Sequence, residues 1–150
     1  QKHGKPIDIH LHEADELGAF SLEMIIERTA ALGMQGKVTV SHAFCLGMPD
    51  RARAAALTEQ LARHDIAIAT TAPASRPVPA AAELRGAGVR LCAGSDGIRD
   101  TWGPYGNLDM LERALFIGLR NNFRNDSDVE YALQVCTQGG ADVMELKGYG

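Results

Sequence analysis

The chain of 150 residues carries 45% hydrophobic and 23% charged side chains, an ordinary balance for a soluble globular domain long enough to bury a core. A formal net charge of −4 and the lack of a basic patch with interleaved aromatics exclude a nucleic-acid footprint, and no apolar run approaches membrane-spanning length. Three widely spaced cysteines, Cys45, Cys92 and Cys136, form no disulfide framework, and no signal-peptide pattern opens the chain, so a reducing, cytoplasmic setting is expected.

In chain order, the first strand-like run is 6–12, followed by a helical pattern from about Ser21 to Leu32. Leu22, Ile25, Ile26 and Leu32 fall on one face of that helix, interrupted by Thr29, with Ser21 suited to cap it and Gly33 to end it. Strand 37–42 leads through Gly47-Met48-Pro49-Asp50 into a helix over 51–64, whose apolar stripe is Ala54, Leu57 and Leu61. A third strand, 66–71, precedes the Pro-rich segment 73–79 and a short helix over 80–85 that Gly86-Ala87-Gly88 ends. Strand 89–95 follows. A long loop, 96–106, then feeds a helix from Leu108 to about Asn121, and Asn125-Asp126-Ser127 caps another through Val135. Residues 139–146 can add a last helix.

Four βα units with right-handed crossovers predict an α/β fold with a parallel sheet covered by helices. Two closures fit the pattern: an open doubly wound sheet, or half of a (β/α)₈ barrel, which needs about 250 residues when complete. The chain begins almost at a strand with no preceding crossover, which reads as a piece of a barrel with no second domain.

His10, His42 and Asp96 each stand where a strand-like run ends. In parallel α/β proteins the carboxyl ends of strands open onto one face, where ligand sites form. Two imidazoles and a carboxylate there can gather around one metal ion or one substrate. In His10-Leu11-His12 the alternation of strand side chains places both imidazoles on one face. The bland reading, in which His12 is a solvated strand-end residue, is preferred for it, whereas Glu13 can turn inward as the strand ends and carry a proton. Cys45, close to His42, would be a nucleophile only with support that the sequence does not supply.

Three ordered motifs sharpen the reading: Ile7-Asp8-Ile9-His10-Leu11-His12-Glu13, Val38-Thr39-Val40-Ser41-His42-Ala43-Phe44-Cys45, and Gly94-Ser95-Asp96-Gly97-Ile98-Arg99-Asp100-Thr101-Trp102. With Pro104-Tyr105-Gly106-Asn107-Leu108-Asp109-Met110, they resemble the second half of the cytosine deaminase-like branch of the amidohydrolase superfamily, over nearly the whole chain. The resemblance implies a metal-dependent (β/α)₈ TIM barrel, of which residues 1–150 would form strands 5 to 8 with their helices. It implies His10 and Asp96 as metal ligands, with Glu13, His42 and Asp96 as the catalytic set. Trp102 and His42 would contact the substrate.

The implied cofactor is one divalent ion, zinc or iron, with further ligands from an upstream H-x-H pair not contained in the chain. The implied activity is hydrolysis of a non-peptide C–N bond, removing ammonia or an amine from a nitrogen heterocycle of the cytosine or aminotriazine kind. A divalent ion lowers the pKa of water toward neutrality, and protonation of the ring nitrogen by Glu13 avoids building negative charge on the ring. Cytosine deaminases carry a further aspartate where this chain has Gly97, which argues against cytosine itself. Two alternatives stand beside this reading: an enzyme opening a cyclic amide or ureide ring, and a non-enzymatic α/β ligand-binding module. Small heterocycles are the expected partners, with no nucleic acid or membrane, and homo-oligomers are common among the barrels this chain resembles.

Overall fold

The computed structural model describes residues 4–149. Strands β1 (Ile7–Leu11), β2 (Val38–His42), β3 (Ile66–Thr70) and β4 (Leu91–Ala93) form one parallel sheet in the order β1-β2-β3-β4. Each strand pairs with the next in sequence, His10 opposite Ser41 and Ala69 opposite Cys92. A doubly wound sheet reverses its strand order at a switch point, so this order excludes that alternative.

The crossovers are helices α1 (Asp15–Leu32), α2 (Arg51–Arg63) and α3 (Ala81–Ala87); α4 (Met110–Arg120), α5 (Asp126–Cys136) and α6 (Gln138–Val143) follow β4. The core lies between sheet and helices. Leu11, Val38, Val40, Ile66, Ile68 and Leu91 meet Leu22 and Ile26 of α1, Leu57 and Leu61 of α2 and Leu84 of α3. Truncating a fully buried leucine such as Leu57 or Leu61 to alanine costs about 2–5 kcal/mol.

Local chemistry sets the element ends. Asp50 accepts the Arg53 N–H at 3.0 Å, Asp109 accepts those of Leu111 and Glu112, and Asn125 accepts that of Asp128. Gly33 and Gly88 close α1 and α3 in left-handed conformation, φ 60° and 79°. Helix α1 begins six residues earlier than the sequence pattern suggests, so Ser21 is interior and donates its Oγ–H to the Leu17 carbonyl. Thr29 is buried within the apolar stripe because its hydroxyl donates to the Ile25 carbonyl at 2.8 Å, leaving no unpaired polar group. Strand β4 is three residues long rather than seven, and a 3₁₀ turn over Phe44–Gly47 follows β2.

Each strand is followed by a non-glycine residue with left-handed backbone: Asp15 (φ 49°) after β1, Ala43 (47°) after β2, Ala72 (45°) after β3 and Asp96 (59°) after β4. His42, the last residue of β2, is also left-handed at 74°. Such conformations cost roughly 1–3 kcal/mol each and persist where surrounding structure enforces them, often at functional sites. Here they reverse the chain at the carboxyl ends of the strands, where the candidate residues stand.

Candidate metal centre

His10 extends from β1 and His12 from the residue just beyond it, two positions apart on one face of the strand line. Simple alternation along β2 would direct His42 with Val38 and Val40 into the helix-covered core. The left-handed turn at His42 and Ala43 breaks that alternation, and the ring packs against those of His10 and His12 instead. Ring centroids are 5.1 Å apart for His10 and His42, 4.3 Å for His12 and His42, and 5.6 Å for His10 and His12. One nitrogen from each ring falls within 4.8 Å of the others. Phe44 backs the cluster, its ring 5.1 Å from that of His42 and 6.0 Å from that of His12, with the Arg76 guanidinium over it.

His42 is 3% exposed, yet neither of its ring nitrogens has a hydrogen-bond partner among the described residues. Buried polar atoms are nearly always paired, so this ring calls for a ligand. Burial depresses its pKa below the ordinary 6.5, and the neighbouring His12 and, more weakly, His10 push the same way; the carboxylates of Asp96 and Asp8 oppose them. Its proton is therefore held weakly, and near neutral pH the ring offers a lone pair.

Three imidazoles at this spacing suit zinc or ferrous iron, both of which take nitrogen donors. A divalent ion fits this cluster.

Asp96 lies beside the cluster rather than within the three-nitrogen group, with Oδ2 3.8 Å from Nε2 of His42. That gap is too long for a hydrogen bond. Its side chain is half-exposed. Below the rings, Asp8 accepts the Ser41 hydroxyl at 2.8 Å, tying β1 to the penultimate residue of β2.

Glu13 is exposed just beyond β1, and its carboxylate makes no hydrogen bond or ion pair among the described residues. Its carbonyl oxygen is fixed instead, packed directly on Gly18 of α1. Trp102 is 95% exposed on the loop after β4 and is not brought into the imidazole group. Cys45 is buried with its thiol pushed up to about 11 by burial, so it stands protonated and inert next to His42.

The cluster thus gathers His10 and His42, brings Asp96 alongside, leaves Glu13 and Trp102 at its margins, and adds His12. The signal for His12 was the alternation in His10-Leu11-His12, which held one position past the last strand residue.

The chain belongs to the amidohydrolase family, whose model matches residues 1–150. It is 51% identical to the crystal structure of N-isopropylammelide isopropylaminohydrolase from Burkholderia multivorans ATCC 17616, with a TM-score of 0.93 over 99% of this chain and 38% of that one. The 5-methylcytosine deaminase of Klebsiella pneumoniae, liganded with 5-fluorocytosine, matches at 26% identity and TM-score 0.84, over 98% of this chain and 39% of that one. N-isopropylammelide isopropyl amidohydrolase of Pseudomonas sp. (strain ADP) is 31% identical over 148 residues, 96% of this chain and 36% of the relative. The chain therefore spans a little over a third of the length of these relatives. By name these relatives are aminohydrolases, amidohydrolases or deaminases. No helix among the described residues is long and apolar enough to cross a membrane.

Proposed function

We propose that residues 1–150 form strands 5 to 8 of a metal-dependent amidohydrolase barrel that removes an amine or ammonia from a nitrogen heterocycle. The observation that carries this reading is the convergence of His10, His12 and His42 at strand carboxyl ends, with two orphaned nitrogens on a buried ring. The 51% identity to an isopropylaminohydrolase supports an amine-substituted triazine, and Gly97, where cytosine deaminases carry a second aspartate, argues against cytosine.

His10 and Asp96 would hold the ion, with the imidazole of His42 alongside; His12 is the extra nitrogen in reach. When bound, a divalent ion activates water at neutral pH and polarises the reacting centre. Glu13 donates a proton to the ring nitrogen next to the reacting carbon, which keeps negative charge off the ring as the C–N bond breaks. Asp96 takes the proton of the attacking water, and the two carboxyl groups pass protons to the departing nitrogen. His42 hydrogen-bonds the water or the substrate, and Trp102 lines the heterocycle pocket. The cysteines, all with protonated thiols, suit a reducing cytoplasm.

Release of ammonia and alkylamines from a panel of aminopyrimidines, aminotriazines and N-alkylated triazines, by the metal-loaded enzyme containing this segment, tests the proposal. Metal-dependent amine release from a triazine or pyrimidine is expected. Ring opening of cyclic amides or ureides, with no amine released from the panel, would overturn it.

A further inference from the structure

The loop between β4 and α4 is closed on itself. The Arg99 N–H donates to the Tyr105 carbonyl at 2.8 Å, and Gly106, at φ 103°, lies so close to Gly97 that a Cβ there would collide with the Gly97 carbonyl. Inside this ring sits the carboxylate of Asp100. Its Oδ1 accepts the Trp102 N–H at 2.8 Å and the Gly103 N–H at 3.3 Å, fixing the turn that displays the indole.

Gly97 is where the carboxylate finds its room. The three atoms nearest a Cβ built on Gly97 all belong to the Asp100 side chain: it overlaps Oδ2 and comes to 3.1 Å from Cγ and 3.3 Å from Oδ1. The backbone of Gly97 is not left-handed, so alanine meets no conformational objection at that position. What glycine provides here is volume. A side chain at 97 would displace the Asp100 carboxylate from this position.

We propose that Asp100 is a positioning residue that sets the direction of Trp102, and that Gly97 is the space its carboxylate needs. The pair then tunes how the heterocycle pocket is closed, without touching the metal ligands. This rests on the reading of Trp102 as a pocket residue. It also gives the departure at Gly97 a physical content: the carboxylate beside position 97 comes from three residues further on and is engaged with backbone N–H groups.

Trp102 is the single tryptophan of these 150 residues, so in the metal-loaded enzyme containing this segment, with any tryptophan outside it replaced by phenylalanine, time-resolved fluorescence anisotropy reports this loop alone. Asp100→Ala and Gly97→Ala should each lower the residual anisotropy. In the metal-loaded active enzyme each should raise KM about three- to tenfold, the scale of one or two lost hydrogen bonds, with kcat within about twofold. Bound metal should not change. Asp100→Asn, which keeps the acceptor oxygen, should restore both readouts, and the Gly97→Ala/Asp100→Ala double variant should be no worse than either single one.

Unchanged anisotropy in Asp100→Ala, or KM effects that add in the double variant, would overturn the positioning role. Trp102→Ala separates the two layers of the argument. If it leaves KM unaltered, the pocket reading fails, while anisotropy still decides whether Asp100 holds the loop.

Discussion

The imidazoles of His12 and His42 stand edge to face with centroids 4.3 Å apart, although they belong to neighbouring strand ends and His42 should by alternation face the core. The left-handed backbone at His42 and Ala43 makes that meeting possible. It also buries a basic ring whose nitrogens have no hydrogen-bond partner among the described residues, and a sensitivity to acid follows from this.

Acid should destabilise the metal-free chain through His42. Above pH 6.5 its ring is neutral folded or unfolded, and stability is unaffected. As pH falls through 6.5 the unfolded chain takes up the proton first, because burial holds the folded pKa lower, so stability drops until the folded pKa is passed. Urea denaturation at a series of pH values should show this loss, and His42→Gln should remove that part of it. By NMR, His12→Gln should move the His42 pKa up and Asp96→Asn should move it down.

Gly18→Ala should damage the site from outside it. A Cβ there would overlap the Glu13 carbonyl oxygen and approach Cys45 Cβ to 2.7 Å. Neither neighbour is a flexible side-chain end, so α1 must move away from the strand exits. A destabilisation of about 1–3 kcal/mol is expected, with lower turnover as Glu13 shifts. Thermal unfolding unchanged from the parent would contradict the packing described.

The thiols should be silent in the native state. Cys45, Cys92 and Cys136 are each pushed up to about 11, mainly by burial, with Asp8 adding to the effect at Cys92 and Cys92 at Cys136. Thiol titration near neutral pH should find slow labelling that becomes complete on denaturation. Rapid native labelling of Cys45 would reopen a nucleophilic role for it.

The chain alone should self-associate. Leu17, Phe20 and Met24 on α1 are exposed, as are Leu111, Leu115 and Leu119 on α4 and Val129 and Leu133 on α5, and β1 and β4 present unpaired edges. Such faces and edges favour association. Sedimentation should show dimers or larger species; a monodisperse monomer with cooperative unfolding would count against the half-barrel proposal.

The sheet was legible because its strands are apolar runs punctuated by glycine, proline and cap residues, and the order of βα units left few topologies. Helix α1 was read short because Asp15 to Phe20 carries no clean apolar stripe; its buried contacts there are Gly18 and Ala19, whose role is close approach. His12 reads as a solvated residue in the sequence because strand ends release side chains to solvent, whereas here the strand line continues one position past Leu11. The Asp100–Gly97 contact had no sequence signal, as it depends on how an irregular loop closes.

The central claim is that His10 belongs to a metal centre and Glu13 carries a proton beside it. Bound metal and kcat, measured side by side in the active enzyme for His10→Ala and Glu13→Gln, test it most directly. His10→Ala should lose much of the metal, since a ligand is removed. Glu13→Gln should keep the metal while kcat falls about 10²-fold or more. Full metal occupancy in His10→Ala, or near-normal turnover in Glu13→Gln, would contradict the account.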